Sequence, residues 1–115
     1  MKSHIALRKQ SSDTLQFLEK VRGVVHAVVP EADIILYGSR ARGDASSVSD
    51  WDFLILVEQP VNRTLVVRLR DSLYDLELET DNVVSSIIRS RQEWDSSKYS
   101  VLPFRKQVEQ EGVLL

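Results

Sequence analysis

Residues Trp51 to Val57 read WDFLILV, and this run constrains the fold more than any other part of the chain. Apolar almost throughout and followed by Pro60, it predicts a central strand covered on both faces. Cover on both faces calls for helices above and below a sheet. The predicted fold class is therefore α/β (α+β), a small mixed β-sheet backed by helices. At 115 residues the chain has room for one such unit and one site, and residues 1–115 are read as a single domain. The hydrophobic share of 43% and charged share of 28% are those of a packed globular protein rather than a disordered one.

Around this strand the apolar periods predict the other elements. Leu15, Leu18, Val21, Val25 and Val28 recur at helical steps from Ser12 to Val29, with Ser11, Ser12 or Asp13 as cap and Pro30 as stop. Ala32 to Tyr37 predicts a strand ending at Gly38. Ser39 to Ser49 is too polar to bury and predicts a loop with a helical turn after Ser39. Leu65, Val66, Leu69 and Leu73 predict a helix from Asn62 to about Ser72. From Tyr74 the period changes to two. Tyr74, Leu76 and Leu78 alternate with Asp75, Glu77 and Glu79, which predicts a strand, a turn at 80–82 and a second strand from Val83 to Arg89, paired as a hairpin. The tail from Gln92 predicts one or two helices over one sheet face, and its mixture of apolar and charged residues suits homo-oligomer formation or docking.

Charge and composition remove several function classes. A net charge of -2 gives no global field for nucleic acid, so any phosphate site must be local, and a nucleic acid acceptor is allowed but not indicated. There is no Cys, which excludes disulfides, and His4 and His26 have no partners at metal-ligand spacing. The N-terminus has no apolar signal region and no segment is long enough for a membrane span, so the expected localisation is cytoplasmic.

The chemistry concentrates between the first two strands. A period of two sends Asp50 and Asp52 to the same side of the strand's start, where two carboxylates repel unless a cation neutralises them. Mg2+, which takes oxygen ligands and keeps waters and phosphates, suits that pair. Gly38 permits an unusual backbone angle, and Ser39 offers a hydroxyl and free N–H groups to a phosphate. Arg40 and Arg42 add charge-assisted donors for a triphosphate or a leaving pyrophosphate. Asp75, on the outward acidic row of the following strand, is the candidate third carboxylate, and three ligands would hold two ions.

Tyr37-Gly38-Ser39, ten residues, Asp50-Trp51-Asp52 leading an apolar strand, and later Tyr74-Asp75-Leu76 together resemble the nucleotidyltransferase superfamily. That superfamily includes DNA polymerase beta, kanamycin nucleotidyltransferase and the stand-alone minimal nucleotidyltransferases. The resemblance spans roughly residues 12 to 91. It implies a nucleotidyltransferase fold, triphosphate binding at Gly38 and Ser39, and metal binding and catalysis by Asp50, Asp52 and Asp75. Glu77 and Glu79 share the face of Asp75, so the identity of the third acid stays open between Asp75 and Glu77. The resemblance also implies transfer of a nucleoside monophosphate, AMP, from a nucleoside triphosphate, ATP, to an acceptor hydroxyl with two Mg2+ ions. Larger relatives carry a second domain for the acceptor. Minimal members, the MntA-like antitoxins of HEPN/minimal nucleotidyltransferase pairs, work instead with a separate HEPN-type helical protein, so that a partner protein is one expected acceptor.

Two functions follow from different classes. One is an active metal-dependent nucleotidyltransferase; the alternative is a catalytically weak or inactive antitoxin or regulatory module that acts by holding its helical partner. The remaining charges read more simply: Asp44 shapes its loop, and Arg63, Arg68, Arg70, Glu77 and Glu79 are wet surfaces. Trp51 and Trp94 are packing residues in this reading.

Overall fold

The computed structural model describes residues 1–3, 11–46 and 48–115; His4 and Ser47 lie outside that set. In chain order the elements are β1 (Lys2–Ser3), α1 (Ser12–Val28), β2 (Asp33–Tyr37), α2 (Ser39–Arg42), β3 (Trp51–Val57), α3 (Arg63–Thr80), β4 (Val84–Ser90), α4 (Arg91–Trp94), α5 (Ser97–Ser100), α6 (Pro103–Glu111) and β5 (Val113–Leu114). The strands form one mixed sheet in the order β1-β5-β2-β3-β4. β2 and β3 run antiparallel with Tyr37 opposite Asp52, and β3 and β4 run parallel with Asp52 opposite Ser85.

The apolar run on β3 takes the central place its composition dictates. Its alternate residues feed two cores. Phe53, Ile55 and Val57 join Ile34, Leu36 and the inward faces of α1 and α3, where Val21, Val25 and Leu69 are fully buried. Leu54 and Leu56 join Ile35 and Tyr37 on the other face, under Trp94 and Val108. Trp94 packs edge-on against Phe104 at 5.8 Å, and Phe104 meets Tyr37 at 5.2 Å, so α6 is clamped over the end of β2. The tail was expected to cover one sheet face; it does so with α4, α5 and α6, and it also adds β5 to the sheet beside β2.

Capping follows the sequence closely. The Ser11 hydroxyl accepts the Thr14 N–H at 3.2 Å at the start of α1, and the Asn62 side chain accepts the Leu65 N–H at 2.9 Å at the start of α3.

The strand expected over 74–79 and the hairpin after it are not formed. α3 continues without a break to Thr80, and β4 then runs parallel to β3. Leu65, Leu69, Leu73 and Leu76 keep the three- and four-residue rhythm that drives burial, while Tyr74 and Leu78, which produced the alternation, are 58% and 68% exposed. Topology requires the longer helix. Parallel strands need a crossover that returns the chain to the starting end, and 18 residues of helix span about 27 Å, enough to retrace β3.

Candidate active site

The site is assembled where β2 ends and β3 begins. Gly38 follows Tyr37 with φ of 80°, a left-handed value that side chains resist, and a Cβ built there would collide with the Asp52 carboxylate. Glycine is thus required twice over, by conformation and by the carboxylate behind it. The turn enters the short α2, which closes on Gly43 at φ of 83°.

Asp50 is exposed one residue before β3, and Asp52 is half-buried on the strand's second residue. Burial pushes the Asp52 carboxyl above the ordinary carboxylate range; Asp50 and Glu111 push it further and Arg42 pulls it partly back. Beside it the Tyr37 phenol is pushed up to about 12, first by burial and then by the charges of Asp52 and Glu111. This is an oxygen-rich, electronegative pocket mouth. Its donor set fits a hard divalent cation bound by two carboxylates and completed by water and phosphate oxygens.

The two arginines separate. Trp51 and Asp52 are successive strand residues and point to opposite faces. Arg40 lies over the Trp51 ring at 4.4 Å and donates to the Ser49 carbonyl at 3.2 and 2.9 Å, so it braces the loop on the face away from Asp52. Arg42 turns the other way, donating to Asp44 at 3.1 Å and to both oxygens of Glu111 at 3.1 Å.

Glu111 is the residue that sequence reasoning missed. Its carboxylate accepts the Gly38 backbone N–H, the Arg42 guanidinium and the Gln107 amide at 3.2 Å, and its side chain is only 14% exposed. It lies in the tail, outside the motif. The nearest cue was its place ahead of Gly112 and the apolar Val113-Leu114 pair, which becomes the strand that carries it to β2.

Asp75 is not brought to this centre. On α3 it lies about 120° around the helix from the buried Leu69–Leu73–Leu76 line, opposite the flank that bears Arg70, Tyr74 and Glu77. That second flank lines an open cleft of about 740 Å³ whose wall also includes Tyr37, Asp52 and Ser85. Between the two candidates for the third acid, the fold therefore turns Glu77 toward the Asp52 cleft and Asp75 away from it. The expectation that placed Asp75 beside Asp52 rested on the strand that is absent. The neighbour of Asp52 on β4 is Ser85, a hydroxyl instead of a carboxylate. Among the described residues no group of three or more His, Cys, Asp or Glu is gathered tightly enough to hold one metal ion.

Two crystal structures share the fold, one described as the toxin-antitoxin with AMP-PNP and the other as a mutant of the toxin-antitoxin MntA-HpeT. The first is 20% identical with a TM-score of 0.60, covering 84% of this chain and 69% of that one. The second is 18% identical with a TM-score of 0.57 and the same coverage of each chain. No curated protein matches. The sequence pattern described as the nucleotidyltransferase domain matches residues 18–114, from the middle of α1 through β5. With the glycine turn, Asp50, Asp52 and strands β2 to β5 all inside that span, the chain belongs to the nucleotidyltransferase domain family.

Proposed function

We propose that this chain, acting as one domain in the cytoplasm, transfers AMP from ATP to a hydroxyl on a partner protein, with Mg2+ held by Asp50 and Asp52. The observation that carries the reading is the Gly38 turn, whose missing Cβ leaves the backbone in contact with the Asp52 carboxylate. A triphosphate resting on that turn has its phosphates within reach of the same carboxylates that hold the cation. Magnesium at that point would polarise the α-phosphorus and offset charge on the departing pyrophosphate. Gly38 and Ser39 hold the triphosphate, and Arg42 supplies the neighbouring positive charge. The acceptor oxygen bonds to the α-phosphorus, the bond to the bridging oxygen of pyrophosphate breaks, and the acceptor's proton leaves to a base on the cleft side, where Glu77 is the carboxylate present. The partner is a toxin, as in the two similar structures, and of the helical HEPN type that the sequence resemblance implies.

The test is transfer of labelled nucleotide to a co-expressed helical partner or to the chain itself with magnesium, set against the Asp50→Asn, Asp52→Asn double variant. Equal labelling by both proteins removes the catalytic reading. A second reading, an antitoxin that neutralises by binding alone, is favoured by Ser85 at the β4 position beside Asp52, because no carboxylate there assists the acceptor. It predicts that the double variant still binds and neutralises its partner.

A further inference from the structure

Strand β4 is an outer strand of the sheet, and its first residues line the Asp52 cleft. The Trp51 N–H donates to the Val83 carbonyl, which fixes the direction of the backbone groups that follow. In a parallel ladder the residues of one parity turn both N–H and C=O to the neighbouring strand, so Ser85, Ile87 and Arg89 face β3. Val84, Ser86 and Ile88 face outward. The Ile88 carbonyl is already occupied, since the Arg89 guanidinium, held by the Tyr99 hydroxyl, donates to it at 2.8 Å. Among the described residues nothing bonds to the outward N–H and C=O groups of Val84 and Ser86. Exposed sheet edges are commonly guarded by a charge, a proline or a bulge. Residues 84–88 read VSSII, with no charge and no proline, so the guard on this edge is Arg89, four positions beyond the residue opposite Asp52. The edge is shut at its far end and open beside the site.

We propose that the acceptor reaches the site as an extended peptide segment, which adds to the sheet as a further strand along residues 84–86. This rests on the proposed transferase reading and names the form in which that reading's acceptor is recognised. The open N–H and C=O groups of Val84 and Ser86 call for another extended backbone as their complement. Any register that uses both residues sets a residue of the segment opposite Ser85. Residues paired across strands project from one face, so the side chain of that residue leaves on the face of Ser85 and Asp52, where its hydroxyl is presented. Its two neighbours project to the other face, which α3 covers and where Tyr74, in the wall of the same cleft, is 58% exposed. Backbone pairing thus both holds the segment and aims one side chain. A helix has used its backbone groups within itself and would leave the edge unpaired. A second copy seated on β4 would close the cleft through which the acceptor enters, and Arg89 on the Ile88 carbonyl leaves a window suited to a short segment. The acceptor hydroxyl is therefore carried on a part of the partner that lies outside its helices.

Peptide binding to the full chain, measured without magnesium or nucleotide, tests this apart from catalysis. Short random peptides with a central threonine are selected for binding, and the best binder is titrated into isotope-labelled protein. The Val84 and Ser86 amide protons are expected to shift and to exchange about tenfold more slowly or less, as new strand hydrogen bonds require. N-methylation of one alternate set of peptide amides should weaken binding about tenfold, and of the other set by less than about threefold, because only one set faces β4. Ser86→Pro removes an outward N–H where an edge strand tolerates proline, and it should weaken binding to a similar extent with thermal melting as the check on its fold. The methylated peptides decide the matter if that variant does not fold. A library without binders, a binder that protects amides elsewhere, or equal losses from both methylated sets would overturn the proposal. So would protection of the same amides by raising the protein concentration alone, which would assign the edge to a second copy. Binding along β4 by a chain that transfers no nucleotide keeps the docking and removes the catalytic reading; transfer to a protein that leaves β4 unprotected does the reverse.

Discussion

Glu111 accepts a hydrogen bond from the backbone N–H of Gly38, although the two are 73 positions apart in the chain. Phe104 against Tyr37 and the pairing of β5 with β2 fix the end of α6 at that point, and Arg42 closes on the same carboxylate. An N–H and a guanidinium around one anionic oxygen pair are what a phosphate also demands. The carboxylate therefore competes with a triphosphate for the same donors. Glu111→Gln should bind magnesium and a non-hydrolysable ATP analogue more tightly than the wild type, by roughly threefold to tenfold on the scale of one charge-assisted hydrogen bond. Titration calorimetry decides it. Weaker binding by the variant would mean that Glu111 helps to hold the ligand.

Gly38→Ala combines a strained φ with a collision against Asp52. Each is costly, and a loss of about 1–3 kcal/mol of stability is expected together with loss of nucleotide binding. Gly43→Ala meets the same positive φ but no neighbouring atom, so it should lose the smaller part of that stability and keep its binding. Chemical denaturation and nucleotide titration of both variants separate strain from collision.

Arg40 and Arg42 are two residues apart yet face opposite sides of the sheet. Arg42→Ala should weaken triphosphate binding about tenfold while leaving the melting temperature within a few degrees, because its contacts are partly exposed ion pairs. Arg40→Ala should do the reverse. It removes the hold on the Ser49 carbonyl and the stack on Trp51, and a loss of about 1 kcal/mol in stability is expected with a smaller effect on binding. Equal effects from both would contradict their separation.

Strands β2 and β3 and the first helix were legible because their burial writes itself into the sequence: Trp51 to Val57 is buried on both faces, and the apolar stripe of α1 is the face it hides. The glycine turn and the two aspartates were legible because the chemistry needs those residue types at close sequence spacing. The second half of α3 was misread for a physical reason. Tyr74 and Leu78 are apolar residues that the fold leaves exposed, and exposed apolar residues beside Leu76 imitate a period of two. A strand over 74–79 would place Asp75 on the sheet and make β4 half of a hairpin, whereas the helix keeps Asp75 off the sheet and returns the chain for a parallel β4. Glu111 was invisible for another reason: it reaches Gly38 only through the packing of α6 and β5, which no local pattern announces.

Asp52 has its folded pKa raised, first by burial and then by Asp50 and Glu111. A carboxyl that holds its proton more tightly in the folded chain than in the unfolded one costs stability when ionised. That cost is complete above the folded pKa and vanishes as the pH falls below the unfolded value. Asp52→Asn should therefore stabilise the metal-free protein at neutral pH, by no more than about 1 kcal/mol because solvent screens a half-exposed group. The advantage should shrink as the pH enters the window just above the ordinary carboxylate range. Magnesium should narrow or reverse the ranking by stabilising only the wild type. Melting temperatures against pH, with and without magnesium, check both signs; a variant less stable than the metal-free wild type at neutral pH contradicts the account.

Ser85 stands opposite Asp52 in the parallel ladder, and residues so paired project from the same face of the sheet. A carboxylate at that position would sit beside the proposed metal site and within the cleft proposed to receive the acceptor. It would both add a ligand and offer a base for the acceptor's proton. Ser85→Asp should therefore lower the stability of the metal-free protein, since it adds a third negative charge next to Asp50 and Asp52. With magnesium and ATP the same variant should transfer nucleotide faster, by about tenfold or more if proton removal limits the rate. The two effects have opposite signs and a common origin, so they should appear together. A variant destabilised without magnesium, yet no faster with it, would show that the acceptor's proton leaves elsewhere, and Glu77→Gln, measured in the same transfer assay, would then identify whether the cleft's own carboxylate takes it.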